Sequence, residues 1–551
     1  MRTWRRILAV FLAIVMLAGI LPTSVLAAES GGILINGEVL IENGTVVEGT
    51  LPAGVSYSNG VLTPNNAQLT SIHAWEADTL TLQLVGNNTI AFTGTEDISE
   101  AALKFDACGD VTIQGSGSLT VTSPVNAICF WESDAGGTLT ITGGATVTAT
   151  SSSGYWKDEP EGEYGYSGLD ISGDLVVTGN AILNATSGWM GILLQGNMSL
   201  TSSTVTTNRI HIHGEESATA SENYESTTTT VGSGASLSVT AQEEDEADTF
   251  LGVLDNATLR LVGGGAIHVN ITAKDVDYIS GLNVHPAGHV SIEGGKLDVV
   301  TRSGRGIRVE NGASFSQSGG TVTVQYDPSL ESPTAADHYD SVGLELITGG
   351  EASISGNAVF QTENLDCGFY LSDALTISGG THTLEGRNAP IFLEAMGSLT
   401  VVGGTMDAVN ISTSTEYAHS GIHSRGGLSR FLGGTTTLNG GEYALVADSE
   451  SENVVTLGSG MYAVDGAGQE TALEVVEDGI LGYRQGKVVI SDESGSSPYT
   501  ALMEVVNGGQ VTAGTAFTVR MALSLDAAPG TVAFTLPAGI SLVGNSVTVN
   551  G

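Results

Sequence analysis

Few residues of this chain could do chemistry, and they are scattered among ten histidines, three cysteines and a large surplus of acids over bases. His211 and His213 alternate in Ile210-His211-Ile212-His213, which places two imidazoles on one face of a strand where a metal ion could sit. No third ligand stands at a recognisable spacing, and two ordinary surface histidines are the alternative reading. Arg302, Arg305 and Arg308, preceded by His285 and His289, form the one local excess of base. A lyase would use an arginine there as proton acceptor; a solvated basic spot on adjacent turns is the alternative. Glu243-Glu244-Asp245-Glu246 could attract calcium, the only ion the sequence invites, but it lacks the glycine-rich spacing of a built calcium loop. No other cofactor is called for.

The elements that must carry these residues announce themselves as a repeat. A phrase of the form small, apolar, any, apolar recurs as Ala102-Leu103-Lys104-Phe105, Ala127-Ile128-Cys129-Phe130, Gly168-Leu169-Asp170-Ile171 and Gly191-Ile192-Leu193-Leu194. It returns as Gly281-Leu282-Asn283-Val284, Gly306-Ile307-Arg308-Val309, Gly343-Leu344-Glu345-Leu346, Gly368-Phe369-Tyr370-Leu371 and Gly421-Ile422-His423-Ser424. A second strand follows each, then a glycine corner and a third strand, as in Leu139-Thr140-Ile141-Thr142-Gly143-Gly144 with Thr146-Val147-Thr148-Ala149. The mean spacing is about 27 residues, in the range of stacked repeats. No stretch keeps a 3.6-residue period, so helical crossovers between parallel strands are excluded and coiling remains. The expected fold is therefore all-β: a parallel β-helix over residues 29–490, right-handed by the crossover rule. Residues 151–167, 214–230 and 327–340 break the period and are expected to leave the rod as loops.

With the phrases stacked, their variable position becomes a ridge. Arg308, Glu345, Tyr370, Phe392 and His423 should line it, with Tyr370 and Phe392 on successive turns. Sugar rings stack their C–H patches on aromatic faces while neighbouring polar groups fix orientation. The ridge is thus the candidate ligand-binding surface, joined by Trp156 from the acidic, aromatic excursion 151–167. The alternative is that the two ridge aromatics merely cover loop packing.

The stretch Gly54-Val55-Ser56-Tyr57-Ser58-Asn59-Gly60-Val61-Leu62-Thr63, with Thr79-Leu80-Thr81-Leu82-Gln83-Leu84 and Asn87-Asn88-Thr89-Ile90, resembles the opening module of secreted bacterial β-helix proteins described as carbohydrate-binding-domain-containing. The later Leu-Thr-Ile-Ser-Gly-Gly phrases are similar too, and the resemblance implies a pectate-lyase-like fold and association with carbohydrate. It carries no binding residue across. Polygalacturonase-like enzymes of this shape would show Asn-Thr-Asp, Asp-Asp, Gly-His-Gly and Arg-Ile-Lys phrases, and none of the four occurs. A noncatalytic adhesin or glycan-binding stalk is the expected function, with a polysaccharide lyase or glycoside hydrolase on the same face as the alternative.

Residues 1–28 read as a signal peptide: Arg2, Arg5 and Arg6 precede the apolar run from Ile7 to Leu21, and small residues close it at Ala27-Ala28. No second apolar run follows, so the exported chain is expected at the cell surface or outside the cell, without a transmembrane segment. A net charge of −42 makes nucleic acid an unlikely partner and leaves neutral glycans or other cell-surface and matrix components. Cys108 and Cys129 lie about one repeat apart, so a bridge between them is one reading, and unpaired thiols, with Cys367 left over in either case, are the preferred one. Asp492-Glu493-Ser494-Gly495-Ser496-Ser497-Pro498 reads as a linker, bounded at 491–498. The alternating strands beyond it, over 499–551, resemble part of an immunoglobulin-like or cohesin-like β-sandwich.

Overall fold

Apolar residues two apart, separated by polar ones, commit each short segment to a strand with one face inward. The computed structural model describes residues 31–47, 51–94, 101–132, 136–158, 162–216, 224–240, 249–271, 279–301, 304–327, 341–412, 419–448, 454–477, 479–492, 499–505 and 519–525. Within them the chain is all-β, without a helix, and coils into a parallel β-helix. Each coil contributes a strand to three faces. Face A stacks fourteen strands in parallel, from Ile72–Trp75 to Leu445–Ala447. Face B runs from Val61–Pro64 to Val455–Leu457 and face C from Gln68–Leu69 to Thr435–Asn439. At about 4.8 Å per coil the stack is on the order of 60 Å long.

Pairing places like on like. Leu103, Ile128, Leu169, Ile192, Ile210 and Leu251 succeed one another in one inward column of face A, every one of them fully buried. Burying each such side chain contributes about 1.5–3 kcal/mol, so the repeated column is itself the main source of stability. Crosslinks add nothing to it. Cys108, Cys129 and Cys367 are all free and buried, so no bridge joins the first two.

The small residue of the phrase has a packing reason. At Gly168 a Cβ would lie 2.8 Å from the carbonyl oxygen of Gly191 and from the amide nitrogen of Thr186, where face C turns into face A. At the B-to-C corner, Gly143 and Gly144 take φ of 68° and 77°, a region open mainly to glycine. On two coils this corner does not interrupt the strand: Ala374–Gly386 and Ser398–Asn410 run continuously from face B into face C.

Antiparallel strands close both ends of the stack. Gly32–Ile35 pairs with Ile72–Trp75 at one end. At the other, Ile480–Tyr483 pairs with Leu445–Ala447, and Lys487–Asp492 with Thr435–Asn439. Farther on, Tyr499–Val505 and Val519–Leu525 form an antiparallel pair, while the rest of the expected β-sandwich lies outside the described residues. So do residues 1–28, expected as a signal peptide, and residues 493–498 of the expected linker.

The insertion expected as a loop at 151–167 is instead strand. Thr146–Asp158 continues past face C and returns as Gly162–Gly165, an antiparallel hairpin leading into the face A strand Ser167–Ser172. A shorter hairpin, Glu215–Glu216 with Tyr224–Glu225, occupies part of 214–230. Of 327–340, all but Asp327 lies outside the described residues.

Candidate functional site

Period-2 alternation turns two residues of each face A strand outward: the variable position of the phrase and the residue two farther on. Parallel register stacks them into two columns. Arg308, Glu345, Tyr370, Phe392 and His423 follow one another on five consecutive coils of the first column. The ridge read from the sequence is therefore a real alignment. What its side chains do differs from one part of the ridge to the next.

In the middle of the ridge they hold one another. Glu345, only 8% exposed, lies 3.1 Å from Arg305 and 3.5 Å from Arg308. Arg308 also stands 3.6 Å from Glu310, and Asn283 donates to Glu310 at 3.0 Å. The His285 imidazole, then burial in the opposite sense, then the Asn283 bond set the Glu310 carboxyl, with a net fall to about 2. His211 and His213 do share the outer side of face A, their rings 5.9 Å apart. His213 is engaged by Asp255 at 2.9 Å, and burial first, with Arg209 next, drives His211 well below the ordinary imidazole range. Among the described residues no group of three or more His, Cys, Asp or Glu is arranged to hold a metal ion. His289 is absent from this patch: it sits on face B and bonds Ser314 at 2.8 Å. Arg302 and the acids 243–246 lie outside the described residues.

Toward the far end the ridge becomes apolar. Phe392 is fully buried, stacked on Tyr370 at 4.9 Å, met edge-on by His423 at 5.2 Å and covered by the Arg425 guanidinium at 5.1 Å. With Val342 and Cys367 it forms a small cluster apart from the main core. Phe392 thus offers no open ring face. Tyr370 remains half-buried and donates its hydroxyl to Glu394 at 2.6 Å; burial, then that carboxylate, push its phenol well up. His423 is 3% exposed, with Nε2 3.2 Å from Asp448. Trp156 lies on the hairpin strand Thr146–Asp158, where its backbone pairs with Tyr164.

The opposite end carries residues that the repeat phrase alone does not single out. Trp75 and Trp131 occupy the second outer column and are part-exposed; Lys104 and Asp170 occupy the first. Lys104 sits 4.3 Å over the Trp131 ring and 3.1 Å from Asp106. Asp170 is stacked between Cys129 and Leu193, and burial pushes its carboxyl up to about 6. Their signal was present: each tryptophan stands two residues beyond the variable position, hence outward by the same alternation. Among the described residues no helix is long and apolar enough to cross a membrane. Set against known proteins, the chain matches no protein-family model, no curated protein and no solved structure.

Proposed function

We propose that this is an exported, noncatalytic surface protein, an adhesin or glycan-binding stalk, whose β-helix presents neutral carbohydrate to the outer columns of face A. One observation carries the reading: polar and aromatic side chains stand in register along the length of face A, on a rigid scaffold of net charge −42. Such a field disfavours anionic polymers, whereas a neutral sugar chain meets hydrogen-bonding groups and aromatic rings at regular intervals. The resemblance of residues 54–90 to carbohydrate-associated β-helix proteins supports the same choice.

A hydrolase or lyase on this face would begin from Asp170, the carboxyl displaced toward neutrality. Its neighbours above and below, Leu193 and Cys129, supply neither a second acid nor a base, which is why binding is preferred to cleavage. A glycan array read in parallel with a reducing-end assay tests the proposal. Retention of neutral glycans without new reducing ends is expected; release of reducing ends by the purified chain would replace the stalk with an enzyme.

A further inference from the structure

Asp170 is an uncommon carboxylate for a protein this rich in acids. Most charged groups of face A described above have a partner: Glu345 has two arginines, Glu310 has Asn283 and Arg308, and Asp106 has Lys104. Asp170 has no hydrogen bond or ion pair with any described residue. Protein surrounds it closely enough to displace its carboxyl upward, yet part of it still reaches solvent. A carboxylate left there bears a desolvation cost that nothing on the protein offsets.

Its neighbours are fixed by the register of face A. On one side Trp131 is paired in register with Ser172, two residues beyond Asp170 on the next coil. Lys104, from the coil below, covers one ring face of Trp131. Trp131 is part-exposed, and the residue in register with it on the coil of Asp170 is the small Ser172. On the other side the strand carrying Asp170 is entered from the hairpin of Thr146–Asp158 and Gly162–Gly165. Trp189 packs into the base of that hairpin at Gly165, where a Cβ would lie 2.3 Å from the Trp189 Cγ. Leu193 and Gln195 of the following coil close the end.

An aromatic face beside an unpartnered carboxylate is what a saccharide requires: C–H patches pack on the ring while vicinal hydroxyls donate to the two carboxylate oxygens. We infer that Trp131 and Asp170 form the principal saccharide subsite of face A, with the ring as platform and the carboxylate as acceptor for a pair of hydroxyls of a neutral sugar. The inference rests on the glycan-binding reading above and locates it away from the Tyr370 and Phe392 end of the ridge, where the ring faces are already filled.

The test is retention of four neutral hexasaccharides, cellohexaose, xylohexaose, mannohexaose and maltohexaose, on the full chain and on Asp170→Asn and Trp131→Ala variants. At neutral pH both Asp170→Asn and Trp131→Ala are expected to weaken the retained sugar about tenfold or more. Asp170→Asn should at the same time raise the urea midpoint, because removing an uncompensated charge stabilises the fold. Lost affinity therefore cannot be ascribed to unfolding. The sign of the pH effect follows from the displacement. A carboxyl raised to about 6 in the folded chain favours folding while neutral, and that contribution is lost as pH rises through 6. The stability gain of the variant should thus be present above pH 6 and vanish near pH 4, while wild-type affinity climbs over the interval in which affinity of the variant stays flat. The titratable groups of the outer columns nearest Asp170 are Cys129 on the adjacent coil, Lys104 and Asp106 on the coil beyond it, and His211 two coils away in the other direction, and all four are unchanged in the variant. If the wild type binds a hexasaccharide and Asp170→Asn or Trp131→Ala binds it equally well, this subsite is wrong and the glycan reading stands. If the wild type binds none of the four, the glycan reading falls and takes the subsite with it.

Discussion

Glu345 shows what separates a candidate contact from a structural one at the scale of a residue. It lies between two guanidiniums, almost out of contact with water, and the hydrogen bond from Arg305 Nε at 3.1 Å fixes its geometry. Breaking a buried pair by removing one partner leaves the other charge uncompensated, at a cost of about 3 kcal/mol. Glu345→Gln should therefore lower the unfolding free energy by about that amount in urea titration, without changing retention of neutral sugars. A change below 0.5 kcal/mol, roughly the value of an exposed pair, would show that solvent reaches the site. From the sequence Glu345 and Arg308 were equally plausible as ligand contacts. Column membership was legible because register follows from the phrase. Mutual pairing was not, because it depends on the reach of long side chains from neighbouring coils. The same limit applies to Phe392: its position on the ridge could be read, but the Arg425 that covers it comes from the second outer column.

At the scale of the element, the glycine of the phrase works by absence. Gly168 faces backbone atoms of both the next coil and face C, and no rotamer relieves a contact made by Cβ itself. Gly421 repeats the situation, with a Cβ 2.5 Å from the Ala444 carbonyl oxygen. Gly168→Ala is expected to destabilise the chain by about 2 kcal/mol, as overpacking does, with the loss concentrated in faster amide exchange at Leu169 and Ile192. Unchanged exchange there would mean that the corner yields at no cost. The phrase itself was readable because glycine, β-branched and polar positions alternate with fixed offsets. The hairpin at 151–167 was not, since Ser151-Ser152-Ser153-Gly154 carries turn-forming residues while the strand continues through them, shifting register against the next coil between Thr150 and Gly154. Pairing with Gly162–Gly165 outweighs that local preference.

For the whole molecule, stacking by backbone pairing creates two open edges, and any coil that repeats itself can repeat onto another copy. The strand Gly32–Ile35 answers this at one end by running antiparallel against Ile72–Trp75, with Ile33 and Ile35 buried beneath it. Its fit depends on Gly32, where a Cβ would fall 2.2 Å from Cζ2 of Trp75. Gly32→Val should lift the capping strand and uncover the edge of face A. Two such edges could then pair, but each chain carries a charge of −42, so repulsion opposes the approach until salt screens it. The variant is therefore expected to be monomeric at about 0.01 M salt, where the screening length is about 30 Å, and to associate at about 1 M, where it is about 3 Å. Wild type should stay monomeric at both. Sedimentation at the two ionic strengths decides the matter: a variant monomeric in high salt would show that the capping strand does not guard the edge, and a wild type that associates equally would show that the edge is open already.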